Sequence, residues 1–152
     1  MAEPNVALLL ELYDAFNRRD IDALMKDVDS EIEVEETEDL GYAALLLRVL
    51  GPRFVILSGR YRGRDELRRL FESVWEIAEW FEVEPHDSTE IGDSVVVPLL
   101  MRAKAKHTGV EGEAAAVHLW TMRDGKAIGL RVYATVDEAV SAAKAALDPE
   151  PR

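Results

Sequence analysis

The stretch VHLWTMRDGKAIGLRVY, Val117 to Tyr133, constrains this chain more than any other. β-Branched and aromatic residues flank Arg123-Asp124-Gly125, and an Asp-Gly pair between two such runs signals a hairpin turn. Side chains of a strand alternate between faces, so the turn sets the phase of both arms. His118, Trp120 and Met122 then share one face of the first arm, and Ile128, Leu130, Val132 and Ala134 share one face of the second. The preceding run, Ser94 to His107, sorts the same way. Val95, Val97, Leu99, Met101, Ala103 and Ala105 lie on one side, and Val96, Pro98, Leu100, Arg102, Lys104 and Lys106 on the other. Three cations assign the second side to water, so the first is the inner wall. That wall is apolar and carries one histidine.

The other elements follow from periodicity. A first helix is expected from about Asn5 to Phe16, with Val6, Leu9, Leu10, Tyr13 and Phe16 on one side. Asp20 is placed to cap a second short helix that buries Ile21, Leu24, Met25 and Val28. SEIEVEE, ending at Glu36, alternates as a half-buried strand. Leu67, Leu70, Phe71, Val74, Trp75 and Ala78 trace the i, i+3, i+4, i+7 stripe of a long helix. Asp65 and Glu66 stand in its first turn, where the helix dipole favours negative charge. Strands are expected over about Phe81–Glu90, Ser94–His107, Glu113–Met122 and Ala127–Ala134, with a turn at Gly92-Asp93. Thr135 and Glu138 form a capping box that opens a last helix. Helices on one face of a curved antiparallel sheet make an α+β cone.

Composition narrows the function. The chain has 152 residues, 48% of them hydrophobic, enough for one compact domain over 1–147 with a frayed tail, 148–152. There is no cysteine, hence no disulfide, thiol nucleophile or thiolate metal site, which fits a reducing compartment. The opening residues lack a basic n-region and read as a domain helix, and a cytoplasmic location is expected. The most apolar segment, Leu40 to Leu57, is interrupted by Arg48, Gly51-Pro52 and Arg53, which argues against a membrane span. It is read either as a lid or wall of the cone, or as a plug or interface. A net charge of −12 disfavours nucleic acid and anionic membranes as partners.

His86, His107 and His118 fall on separate elements, so no metal site is expected. No glycine-rich phosphate loop or nucleophile elbow is present, and no cofactor is expected. Arg60, Arg62, Arg64, Arg68 and Arg69 gather at the start of the long helix, a place that can hold phosphate. The competing reading is ion pairing with the acidic run Glu31 to Asp39.

The strings LYDAFNRRDIDALM, YRGRDELRRLF, IGDSVVV and HLWTMRDGKAIGLRVY, in this order, resemble the nuclear transport factor 2-like superfamily, in particular its SnoaL-like polyketide cyclase branch. The resemblance covers most of the chain outside roughly Thr37 to Gly59 and implies a cystatin-like cone, its sheet wrapped around helices. That superfamily hosts ketosteroid isomerases, cyclases, epoxide hydrolases, dehydratases and noncatalytic binders, so function must come from the site. By alignment on the hairpin turn, His118 falls where ketosteroid isomerases carry a pocket acid, and Glu36 at the strand end that carries their general base. Tyr13 falls where relatives present a pocket hydroxyl. The acid used by epoxide hydrolase relatives corresponds to Val132, and Val97, Leu99 and Met101 stand where their other polar residues would be, which disfavours that chemistry. Val96, Pro98, Leu100, Ala115, Val117 and Leu119 form an apolar patch on the back of the sheet, the face through which relatives often form homodimers.

Two functions stay open. One is a pocket for a small hydrophobic molecule, with cofactor-free isomerase or cyclase chemistry using Glu36 as base, His118 as acid or partner and Tyr13 as donor. Trp120, Met122, Val97, Leu99, Met101, Leu130, Val132, Phe16 and Trp75 would wall it. The other is a noncatalytic ligand-binding or dimeric interaction module with a filled cone. Catalysis calls for a cavity of about 300 Å3 or more reaching His118.

Overall fold

The computed structural model describes residues 4–36 and 60–147. The elements are α1 (Pro4–Asn17), α2 (Ile21–Met25), β1 (Val28–Glu36), β2 (Arg60–Arg62), α3 (Arg64–Ile77), β3 (Ala78–Pro85), β4 (Thr89–Ile91), β5 (Ser94–Ala105), β6 (Glu111–Arg123), β7 (Lys126–Tyr133) and α4 (Val136–Leu147). The expected segment 40–57 and the tail lie outside the described residues, as do the side chains of Glu36 and Arg60.

The β6–β7 hairpin closes on Asp124 and Gly125, whose φ values of 52° and 75° are both positive, as a two-residue hairpin turn with the right twist requires. From it the sheet extends in the order β2-β1-β7-β6-β5-β3, with β4 on the far end of β5. All pairs are antiparallel except β1 with β7, so the curved, unclosed sheet is mixed rather than purely antiparallel. The expected single strand over Phe81–Glu90 is two. β3 stops at Pro85, which lacks an N–H for further pairing. β4 then pairs with the opposite end of β5, Thr89 facing Val96.

On the concave side, α1, α2 and α3 bury the inner wall. Val95, Val97, Leu99, Met101, Ala103 and Ala105 of β5 are all buried there, with Trp120, Met122, Leu130 and Val132. α4 takes the other side. Its Ala139 and Ala143 pack on Val96, Val117 and Leu119, so half of the expected apolar back patch is covered by the chain itself. Pro98 and Leu100 stay half-buried, and Ala115 is exposed.

Four placements differ from expectation. Ala78, expected on the stripe of the long helix, is the first residue of β3. Ile128 does not face the core. The register slips between Thr121↔Gly129 and Met122↔Ala127, a β-bulge that leaves Ile128 unpaired and hands the inward place to Ala127. Ile128 instead lines a cleft with Leu119, Thr121 and Ala142 of α4. Ala134 lies beyond the end of β7 and is exposed. Leu10 is 44% exposed, because Leu9, Leu12, Tyr13, Ala15 and Phe16 already fill the buried face of α1.

Candidate functional site

α1 lies across the inner wall so that Tyr13 meets β6. His118 and Trp120 are two residues apart on one strand face, a spacing of about 6.8 Å, and the Tyr13 hydroxyl enters between them. Its oxygen accepts a hydrogen bond from Trp120 Nε1 at 2.7 Å and lies 2.7 Å from His118 Nδ1. The rings are also packed: Tyr13 stacks on His118 with centroids 5.8 Å apart and meets Trp120 edge-on at 6.1 Å.

These three groups edge a cavity of about 110 Å3. The rest of its lining is apolar: Leu12 and Phe16 of α1, Leu24 of α2, Val34 of β1, Leu67, Leu70, Phe71 and Val74 of α3, Phe81 and Val83 of β3, Met101 of β5, and Leu130 and Val132 of β7. The space reaches His118 but is well under the roughly 300 Å3 typical of enzyme pockets. It approaches the size of a void of about 150 Å3 that admits benzene.

Burial sets the protonation states. Taking an imidazolium out of water is unfavourable, and His118 is pushed down to about 3 from an ordinary 6.5. His118 as a residue is half-buried, and it is among the groups that line the cavity. Tyr13, 3% exposed, has its hydroxyl pushed well above the usual phenol range by desolvation, with the Trp120 hydrogen bond opposing that shift.

Of the residues expected at the site, Tyr13, Phe16, Met101, His118, Trp120, Leu130 and Val132 come together around the cavity. Val97, Leu99, Met122 and Trp75 belong to the packed core beside it. Trp75 stacks on Phe71 at 6.2 Å, and its buried indole N–H has no hydrogen-bond partner among the described residues. Glu36 pairs with Val132, which pairs with His118, so the backbone of Glu36 occupies the His118 row two strands away, about 10 Å across the sheet. The wall residues not expected from the sequence come mostly from the helices and from β3. The stripe on α3 had marked Leu67, Leu70, Phe71 and Val74 as inward, which gives a face but not a cavity.

Among the described residues no group of three or more His, Asp or Glu side chains could hold a metal ion. The arginines at the start of α3 border a second, polar cleft with Ser30 and Met25. Arg62 lies 3.9 Å from Glu33, one of the acids expected to pair with this cluster. Arg68 pairs instead with Asp22 of α2 at 2.8 Å, and Arg64 donates to the Met25 carbonyl.

The mixed sheet, its inner helices and the cavity under α1 define a nuclear transport factor 2-like, cystatin-like α+β fold. Within that class the chain belongs to the SnoaL-like domain family, whose model matches residues 9–129. No curated protein matches the sequence. Solved structures do. A nuclear transport factor 2-like protein of unknown function from Burkholderia pseudomallei K96243 is 21% identical, with 92% of this chain and 97% of that one covered at a TM-score of 0.71. TerC, crystallised with polyporic acid, is 24% identical over 93% and 99% of the two chains, TM-score 0.69. A putative SnoaL-like polyketide cyclase from Jannaschia sp. CCS1 is 18% identical over 97% and 94%, TM-score 0.66. At these identities the likeness is one of fold.

Proposed function

We propose that this protein binds a small hydrophobic molecule in the cavity between α1, α3 and the sheet, with the Tyr13–His118–Trp120 corner as its polar contact. The observation that carries the reading is an apolar space with one hydrogen-bonding corner, the usual build of a small-molecule site. TerC, on the same fold, has been crystallised with polyporic acid, which supports a binding role for the fold. A thermal-shift screen of small hydrophobic carbonyl compounds, run on the wild type and on His118→Ala, tests it. Ligands should raise the melting temperature of the wild type and do so less in the variant. A library that stabilises neither protein sinks the reading in favour of a filled interaction module.

A second reading, which requires the cavity of about 110 Å3 to open well beyond that volume, is cofactor-free proton transfer of the isomerase or cyclase type, with Glu36 as base. It rests on the shared row of Glu36 and His118. Isomerisation of a bound carbonyl compound, abolished in Glu36→Gln while binding persists, is its test. We also propose a homodimer through the part of the sheet back left open by α4, around Pro98, Leu100 and Ala115. Light scattering at micromolar concentration should give twice the 17.0 kDa chain mass, and a monomer mass refutes it.

A further inference from the structure

The hydrogen bonds at the cavity's corner have a direction. An indole nitrogen donates and does not accept. The Trp120 Nε1–H therefore donates to the Tyr13 oxygen. The second contact, from Tyr13 to His118 Nδ1, admits two arrangements. In one, the phenol proton points to a bare Nδ1. In the other, Nδ1–H points to the phenol oxygen, and the phenol proton must go elsewhere. Among the described residues no other acceptor is within reach of the Tyr13 hydroxyl, and the residue is only 3% exposed. An orphaned buried hydroxyl is costly, so the first arrangement wins. The chain runs one way, from Trp120 to Tyr13 to His118, and leaves the ring proton on Nε2.

That Nε2–H has no hydrogen-bond partner among the described residues, and the ring that carries it borders the cavity. The described groups lining the cavity from α1, α2, α3, β1, β3, β5 and β7 are all uncharged. Glu36 is the titratable position in the same row, two strands away. An ion entering this space would lose its hydration with no counter-charge among these groups, and a second donor would find no strong acceptor.

On the reading that this cavity is a ligand pocket, we propose that His118 is a donor of fixed tautomer. Its Nε2–H selects small neutral molecules with one acceptor oxygen, ketones and esters, over carboxylates, amines and hydrocarbons of the same size. Burial holds the imidazole neutral, with its pKa pushed down to about 3, so the donor persists through the physiological range. His118 then orients a carbonyl rather than removing a proton, because Nδ1, its one basic nitrogen, is already taken by Tyr13.

The test uses the full chain labelled with 15N-histidine. Long-range proton–nitrogen spectra distinguish the Nε2–H tautomer, the Nδ1–H tautomer and the doubly protonated ring. The His118 signal should report Nε2–H from about pH 5 to about pH 8, and in Glu36→Gln as well. Cyclopentanone, methylenecyclopentane, cyclopentylamine and cyclobutanecarboxylate are then titrated against the same sample. Cyclopentanone should shift the Nε2 resonance and bind at least about tenfold tighter than the other three, since a site that spends a buried donor rejects ligands that leave it unpaired. An Nδ1–H tautomer, or an imidazolium at pH 6, overturns the proposal whatever binds. Equal affinity for cyclopentanone and methylenecyclopentane, or for the amine or the carboxylate, overturns it while leaving the pocket reading intact. If none of the four binds, the pocket reading fails and the selectivity falls with it, even where the tautomer is as expected.

Discussion

Tyr13, His118 and Trp120 share two hydrogen bonds of 2.7 Å, and cutting the chain at different points has unequal cost. Tyr13→Phe removes the hydroxyl and orphans two buried groups at once, the Trp120 N–H and His118 Nδ1. At about 1–3 kcal/mol for each unsatisfied group, a loss of roughly 2–6 kcal/mol is expected in urea denaturation. Trp120→Phe removes a donor but leaves Tyr13 bonded to His118, so a loss of about 1–2 kcal/mol plus some packing is expected. The double variant should lose less than the sum, because its second substitution removes a group already orphaned. Additive losses would show that the three groups do not act as a chain. The inward position of His118 was legible in the alternation of a single hairpin. Its partner was not, because Tyr13 lies 105 residues away and the bond depends on how α1 docks across the sheet.

From the last residue of α1 to the cap of α2, the four residues Asn17, Arg18, Arg19 and Asp20 tie these two helices to α3 and β3. α1 ends in a reverse turn in which Arg19 N–H bonds to the Phe16 carbonyl and Asp20 N–H to the Ala15 carbonyl. Such a turn needs a left-handed residue, usually glycine, yet Arg19 holds it at φ 58°. Its side chain offsets that strain. The guanidinium donates to the carbonyls of Trp75, Ala78 and Glu79, each at 3.1 Å, and caps the end of α3. Asn17 completes the join by pairing its amide with both backbone groups of Val83, as a short piece of strand would. Asp20 accepts from the Ala23 N–H and caps α2. Arg19→Ala should cost about 1–2 kcal/mol and speed hydrogen exchange at the end of α3 more than elsewhere. Arg19→Lys should recover little of it, since an ammonium lacks the planar fork that spans three carbonyls. Full recovery by lysine would mean that charge alone stabilises the turn. Here the sequence was half legible. The Asp20 cap is local and was read from the chain. The roles of Asn17 and Arg19 are not, because their partners are strand and helix ends some 60 residues downstream. The bulge that expelled Ile128 was hidden for a related reason: alternation assumes an unbroken ladder, and only the pairing with β6 shows the extra residue.

At the scale of the molecule, the sheet separates two apolar layers. The inner layer is large and contains the cavity, and the outer one is a small cluster under α4. Faces were legible in the sequence because side-chain phase decides them. The depth of the cavity was not, because it depends on how completely α1 and α3 fill the concave side. The inner layer carries a consequence for stability against pH. The folded chain holds His118 neutral, with its pKa pushed down to about 3, whereas the unfolded chain returns it to an ordinary 6.5. Between these values the unfolded state binds a proton that the folded state refuses, so stability falls as pH falls through that window and is unaffected above it. Across the step from about pH 7 to about pH 5, this group alone should remove about 2 kcal/mol of folding free energy. His118→Asn keeps a polar side chain that can meet Tyr13 but has no proton to gain. It should be less stable than the wild type at about pH 7, and the gap should close by about 2 kcal/mol at about pH 5, because every other titrating group contributes equally to both proteins. Urea denaturation of the two proteins at both pH values measures the gap directly. A gap that stays constant would mean that the folded protein accepts the proton, through a site open enough to hydrate the imidazolium, and the cavity would then be wetter than its lining implies.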